Sequence, residues 1–158
     1  MKRLILLSLL LCSCVTAKPF FFAAERQEKE LIVPMMVFYG DYEEAEVKDT
    51  VQAAVVDFAL RTRIVADVIE YRHMDWQSRE MYAMMQQCAE LYPNLEIPAR
   101  WVLMIYKKTP LEWVLMLFIG NVHGAAEAVE GGGHWAFVNR LSSDLIVHEL
   151  YHLGWRIK

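Results

Sequence analysis

The sequence predicts an α+β fold, a mixed sheet with amphipathic helices, over residues 31–158 of a 158-residue chain. Three observations predict it. Strand-type and helix-type hydrophobic patterns alternate from residue 31 onward, and 56% hydrophobic with 23% charged residues is typical of one globular domain. The chain also ends on a helical pattern that carries two histidines. A formal charge of -4 and the lack of a Lys/Arg run argue against nucleic-acid binding.

The first 17 residues have the pattern of an export signal. A basic start at 1–3 precedes an apolar run at 4–11 that is too short to span a membrane. Two processing sites fit. Small residues suit ordinary cleavage after Ala17, and the Leu-Cys-Ser-Cys run at 11–14 resembles the bacterial lipobox, in which Cys14 would be lipidated and attached to a membrane. Both place the protein in the bacterial cell envelope, periplasmic or lipid-anchored, or outside the cell.

The elements of the domain begin after a predicted N-terminal tether at 18–30, which has no hydrophobic period. Residues 31–39 are apolar and rich in strand formers, and Pro34 restricts this strand to an edge, to a bulge or to its first residues. Apolar residues recur at helical spacing over 43–63, which predicts an amphipathic helix. Residues 64–71 alternate as in a strand that follows this helix with almost no loop.

A second amphipathic helix is predicted over 75–91, where three methionines and Cys88 share one helical stripe. Packing at a period of 3.6 explains this stripe without a copper site, and Cys88 is interpreted as a small buried hydrophobe. The apolar runs 101–106 and 113–119 flank a Lys-Lys-Thr-Pro segment, which has the composition of a hairpin connection. Residues 135–138 are again typical of a strand.

The most specific chemistry lies between Ser142 and His152. Two serines and an aspartate at the start of this stretch are typical of a helix N-terminus. His148 and His152 are one helical turn apart, so both imidazoles project from one face at a spacing that suits two positions on a tetrahedral Zn²⁺. Glu149 lies beside the pair and can act as a general base without being a ligand.

The run from His148 to His152, His-Glu-Leu-Tyr-His, resembles the active-site signature of the zincin metallopeptidases. The order of the preceding elements is similar to the N-terminal subdomain of zincins, and 124–126 resembles the substrate-binding edge strand of metzincins. The resemblance implies an exported zincin-like metallopeptidase over 31–158. It implies Zn²⁺ as the cofactor on His148 and His152, Glu149 as the catalytic residue and a peptide or protein as the substrate.

The resemblance also implies a third zinc ligand, and the sequence departs from the family there. Lys158 stands where metzincins have their third histidine, and nothing after the second histidine is Asp, Glu, His or Cys. Three explanations are open: the chain is a C-terminally incomplete fragment of a longer protease, an upstream residue such as Asp144, His134 or His123 completes the site, or the motif is degenerate. The alternative function is therefore a non-catalytic envelope lipoprotein or binding module on a degenerate zincin scaffold.

Overall fold

The structure is a computed structural model, and it describes residues 26–92, 97–109, 112, 124–128 and 134–154. The elements are, in chain order, β1 Leu31–Tyr39, α1 Glu44–Thr62, β2 Ile64–His73, α2 Met81–Ala89, β3 Trp101–Ile105, β4 Gly124–Ala128, β5 His134–Val138 and α3 Ser143–Gly154. The predicted export signal lies outside the described residues. Within the described part of the chain, no helix is long and apolar enough to cross a membrane.

The five strands of the described residues form one sheet in the order β2-β1-β3-β5-β4. Strands β2, β1, β3 and β5 are parallel to one another, and β4 pairs with β5 in the antiparallel direction at the edge of the sheet. Parallel neighbours need a crossover connection, and α1 supplies it between β1 and β2. The connection from β2 to β3 contains α2 and passes β1, which lies between these two strands. The result is a mixed sheet with helices, which is compatible with the α+β class that the sequence predicts.

The sheet separates two layers of core. Because successive side chains of a strand point to opposite faces, Met35 and Val37 of β1 join the layer under α1 and α3, while Met36 and Phe38 join the layer under α2. All four side chains are fully buried. The site-bearing helix α3 therefore shares its core with α1 and is separated from α2 by the sheet.

The predicted strand, helix and strand at the start of the domain are confirmed as β1, α1 and β2. The loop between α1 and β2 is a single residue, Arg63, whose φ of 61° places it in the left-handed region. Its N–H donates to the Ala59 carbonyl at 2.8 Å, and its carbonyl accepts the N–H of Leu31 at 3.0 Å. The last residues of the predicted tether also lie at this junction, where Gln27 donates its N–H to the Thr62 carbonyl at 2.8 Å.

Pro34 lies inside a strand that has a neighbour on each side, so the option of an edge strand is wrong. The chain accommodates it because β3 pairs with β1 only from Met35 onward. The register between β1 and β2 also shifts between Met35 and Met36, one residue beyond the proline. A residue without an N–H is tolerated where the ladder is incomplete or irregular, so the bulge option is the one observed.

The predicted second helix begins six residues later than expected, at Met81, because the residues before it close the carboxyl end of the sheet. The Trp76 indole N–H donates to the Ile105 carbonyl at 3.1 Å. A Cβ on Gly40 would lie 2.5 Å from the Trp76 ring, so this contact requires glycine there. Met84 and Cys88 are fully buried, which confirms the interpretation of the methionine stripe as core.

The predicted hairpin at β3 is wrong. β3 has β1 on one side and β5 on the other, both parallel to it, so neither side is left for an antiparallel partner from 113–119. That second run lies outside the described residues. All five residues of β3 are buried, and an unbroken apolar run is typical of a central parallel strand as well as of a hairpin arm.

Candidate metal centre

The helix that carries the two histidines is observed where the sequence predicts it. α3 begins at Ser143, and the Ile146 N–H donates to the Ser142 carbonyl at 3.0 Å in its first turn. Asp144 is exposed in that turn, where a negative charge complements the helix dipole. Leu150 and Leu153 are buried against the core that α3 shares with α1. This packing fixes which face of α3 remains outside.

The two histidines lie on that outer face. The Nε2 atoms of His148 and His152 are 3.1 Å apart, and the rings are nearly perpendicular. Two imidazoles that bind one tetrahedral zinc at about 2.0–2.1 Å place their nitrogens about 3.3 Å apart. The observed separation therefore fits two ligands of one metal ion. Burial and the neighbouring His148 both lower the pKa of His152, which favours the neutral, ligating form of its imidazole.

Glu149 lies beside the histidine pair but is buried. Its side chain is 2% exposed, and within the described residues its Oε2 atom has no hydrogen-bond partner. Burial raises the pKa of this carboxyl to about 8. An unpartnered buried carboxylate is costly unless a positive charge or a proton compensates it.

No third side chain that could hold a metal ion together with the histidine pair is found among the residues that the structure describes. No group of three His, Cys, Asp or Glu side chains in that part of the chain is arranged to hold a metal ion. Asp144 and His134 therefore do not complete such a group with the histidine pair, and His134 is instead buried at the start of β5. His123 and Lys158 lie outside the described residues.

The strand β4 borders the helix that carries the candidate site. It contains the predicted edge segment 124–126, lies against α3 and is observed as the antiparallel edge of the sheet. In the described part of the chain, its outer side has no strand partner. An edge strand of this kind presents backbone donors and acceptors to a further extended segment.

Sequence reasoning missed two features of the site. It placed Glu149 beside the histidine pair but gave no indication that this side chain is buried, which only the packing of α3 against the core reveals. It also did not identify the partner of Tyr151, which is Phe58, whose ring lies 5.3 Å away. Hydrophobic spacing identifies Phe58 as core, and carries no signal about which distant helix it touches.

The fold and the site define a mixed α/β domain with a histidine-pair helix beside an antiparallel edge strand. No family model and no curated protein matches the chain. A solved structure described as a chaperone-substrate complex is similar in fold, with a TM-score of 0.53 and 10% sequence identity. The match covers 80% of this chain and 24% of that chain, so this chain spans about a quarter of its neighbour's length.

Proposed function

We propose that this protein is an exported zinc metallopeptidase with a zincin-like domain, in which His148 and His152 hold the metal and Glu149 is the general base. The observation that carries the proposal is the 3.1 Å separation of the two Nε2 atoms on one face of α3. The buried carboxyl of Glu149 on the adjacent residue is the second support. The antiparallel edge strand against α3 agrees with the arrangement that the resemblance to zincins implies.

Bound zinc would supply Lewis acidity that polarises a scissile carbonyl and acidifies water. Glu149 would accept a proton from that water and later deliver it to the leaving amine. It must be ionised for the first step. Its buried side chain reaches that state when a positive charge lies beside it, because an opposite charge lowers a carboxyl pKa that burial has raised.

A peptide or protein is the substrate that we propose, bound in an extended conformation. β4 forms the edge of the sheet beside α3, and its outer side has no partner strand within the described residues. An extended peptide can pair with such an edge through main-chain hydrogen bonds, which bring its carbonyls past the site in a fixed register. In this proposal the backbone of β4 recognises the substrate.

Catalytic zinc generally needs three protein ligands. In this proposal the third ligand comes from outside the described residues, either from a longer chain of which this sequence is a fragment or from an upstream residue such as His123. Zinc analysis of a chain extended beyond Lys158, compared with the present chain, separates the two sources. Full affinity in the present chain identifies an upstream ligand, and affinity gained only on extension identifies a downstream one.

Zinc content tests the site directly. The purified mature protein is expected to bind about one zinc per chain, and His148→Ala and His152→Ala are each expected to lose it. His73→Ala is the matched control, because His73 is an exposed histidine at the end of β2. Its zinc content should equal that of the wild type. A wild type that binds no zinc in either the present or the extended chain overturns the assignment.

The second candidate is a non-catalytic envelope lipoprotein or binding module on a degenerate zincin scaffold. The lack of a three-ligand group among the described residues favours it. A folded, zinc-loaded wild type that cleaves nothing in a broad peptide library would support this candidate over the peptidase. Hydrolysis that stops when zinc is removed by a chelator and returns when zinc is restored would support the peptidase.

Export is part of the proposal and has its own test. Mass spectrometry of the mature N-terminus is expected to show lipid on Cys14, with the protein in the membrane fraction. An unmodified N-terminus at Lys18 would show cleavage after Ala17 and a lipid-free exported protein. A mature chain that still begins at Met1 would contradict export.

A further inference from the structure

The outer side of α1 carries an apolar stripe that the fold leaves exposed. Ala53, Val56 and Leu60 form it, and Leu60, at 72%, is the most exposed large hydrophobic side chain of the described residues. Each helical residue turns by about 100°, so the stripe lies about 180° from the buried side of α1. Packing within one copy of the domain therefore does not account for these apolar residues.

Charged residues of opposite sign continue the stripe at its two ends. Asp49 lies four positions before Ala53, and Arg63, the cap residue directly after the helix, lies three positions after Leu60. The five exposed residues at 49, 53, 56, 60 and 63 are thus separated by 4, 3, 4 and 3 positions. A seam that recurs every 3.5 residues, on average, is the one along which two helices pack in a coiled coil. The outer side of α1 therefore has the spacing of a helix-pairing surface.

This seam is complementary to an antiparallel copy of itself. A two-fold axis at Val56 sets Asp49 opposite Arg63 of the second copy, because each lies seven positions from Val56. It also sets the small Ala53 opposite the large Leu60 of the second copy, so that the two surfaces can interdigitate. A parallel copy would instead bring Asp49 against its own counterpart, and like charges in contact are unfavourable. The seam therefore favours the antiparallel arrangement.

The two basic residues at the end of α1 differ in how their charge is compensated. The Arg61 guanidinium is paired with the Asp57 carboxylate, with an Nη2–Oδ2 distance of 2.8 Å. The Arg63 Nη1 atom donates instead to the backbone carbonyl of Glu28 at 2.7 Å. That carbonyl is neutral, so this hydrogen bond does not cancel the positive charge of Arg63. Arg63 is therefore the basic residue suited to an ion pair with a second copy.

We propose that two copies of this chain associate through the outer sides of their α1 helices, antiparallel, with Val56 on the two-fold axis and Asp49 of each copy beside Arg63 of the other. Each copy uses the same surface, as in a closed two-fold dimer. The paired segment is about 20 Å long. One helix pair of this length covers less than the ~800 Å² per partner of a standard interface, so the dissociation constant is expected to be on the order of 100 μM. The inference does not depend on the proposed zinc site.

Sedimentation velocity of the mature protein at increasing concentration, up to about 1 mM, measures this association. A chelator is present throughout, so that no metal ion can bridge two copies. Val56→Glu brings two carboxylates together at the axis and is expected to weaken the dimer by at least about tenfold. Ile69→Glu is the matched control, because Ile69 has the same exposed fraction as Val56, 47%, and lies on β2. This control is expected to dimerise like the wild type.

An exchange of charges tests the antiparallel register. Asp49→Arg and Arg63→Asp each bring like charges together and are expected to weaken the dimer, whereas the combined variant re-forms the ion pair and is expected to restore it. Aspartate is among the residues that tolerate the left-handed φ of position 63. A wild type that remains monomeric at about 1 mM overturns the proposal and leaves the stripe to another partner or to solvent. Undiminished dimerisation of Val56→Glu, or a combined variant no tighter than the single ones, also overturns it.

Discussion

The helices α2 and α3 cover opposite faces of the sheet, and both carry residues that can bind metals. On α2 these residues are methionines and Cys88, and their helical spacing directs their side chains into the core. On α3 they are His148 and His152, which lie on the outer face with facing nitrogens. The comparison teaches that burial decides the role of a residue, because a side chain enclosed in apolar packing has no room for a ligand.

The two helices also treat a buried ionisable group differently. Burial raises the pKa of Cys88 on α2 to about 12, so its thiol remains protonated and packs as an apolar group. Burial raises the pKa of Glu149 on α3 to about 8, and this carboxyl belongs to the residue that directly follows His148. The same physical cause therefore keeps the thiol protonated, and under the proposed function it leaves the carboxyl to be ionised by a bound cation.

The largest expected difference between substitutions on the two helices is in catalytic turnover. Glu149→Gln is expected to lower peptidase turnover by at least ~100-fold while zinc remains bound, because the amide keeps the shape of the side chain but cannot accept the proton. Steady-state kinetics with parallel metal analysis measure this. The loss should be in kcat rather than KM. Equal turnover in the variant and the wild type would locate the base elsewhere.

A core substitution on α2 should instead lower the stability of the protein and leave its metal site intact. Met84→Ala is expected to lower the free energy of unfolding by about 2–5 kcal/mol, because it leaves a cavity in a layer where Met84 has no exposed surface. Zinc content should be unchanged, since the sheet separates α2 from α3. Denaturant unfolding and metal analysis on one preparation check both parts. Loss of zinc in a folded Met84→Ala protein would show that the two layers are coupled.

Removal of the metal should destabilise the protein only because it empties the proposed site on α3. A bound ligand at 100 times its Kd stabilises the native state by about 2.7 kcal/mol, so a chelator should lower the melting temperature of the wild type. In His148→Ala the same chelator should have no effect. Thermal unfolding with and without chelator measures both proteins. An equal decrease in the variant would mean that the stabilising metal is not bound by the histidine pair.

The smallest expected effect is the labelling of the Cys88 thiol in the native protein. At pH 8 a thiol with a pKa of about 12 has a thiolate fraction on the order of 10⁻⁴, and the side chain has no exposed surface. Native protein is therefore expected to resist a thiol-labelling reagent that labels unfolded protein fully. Colorimetric thiol titration in buffer and in denaturant makes the comparison. Rapid labelling of the native state would show that the α2 layer opens.

The local part of this fold could be predicted from sequence, and the pairing of its strands could not. β1, α1 and β2 were predictable because their hydrophobic periods are properties of consecutive residues. The hairpin prediction at 101–106 failed because an apolar run specifies burial on both faces without specifying the direction of the neighbours. Pro34 gave three options, and only the two neighbours of β1 and the register shift between β1 and β2 selected one of them.

The sequence by itself determined the histidine pair, because residues four apart on a helix face one another whatever the rest of the chain does. Only the tertiary structure decided that this pair lies on the outer face of α3, that Glu149 is buried beside it and that Tyr151 rests on Phe58. The physical reason is distance along the chain. Helical spacing acts within a single turn, whereas burial and ring contacts depend on residues that come together only when α1, the sheet and α3 share one core.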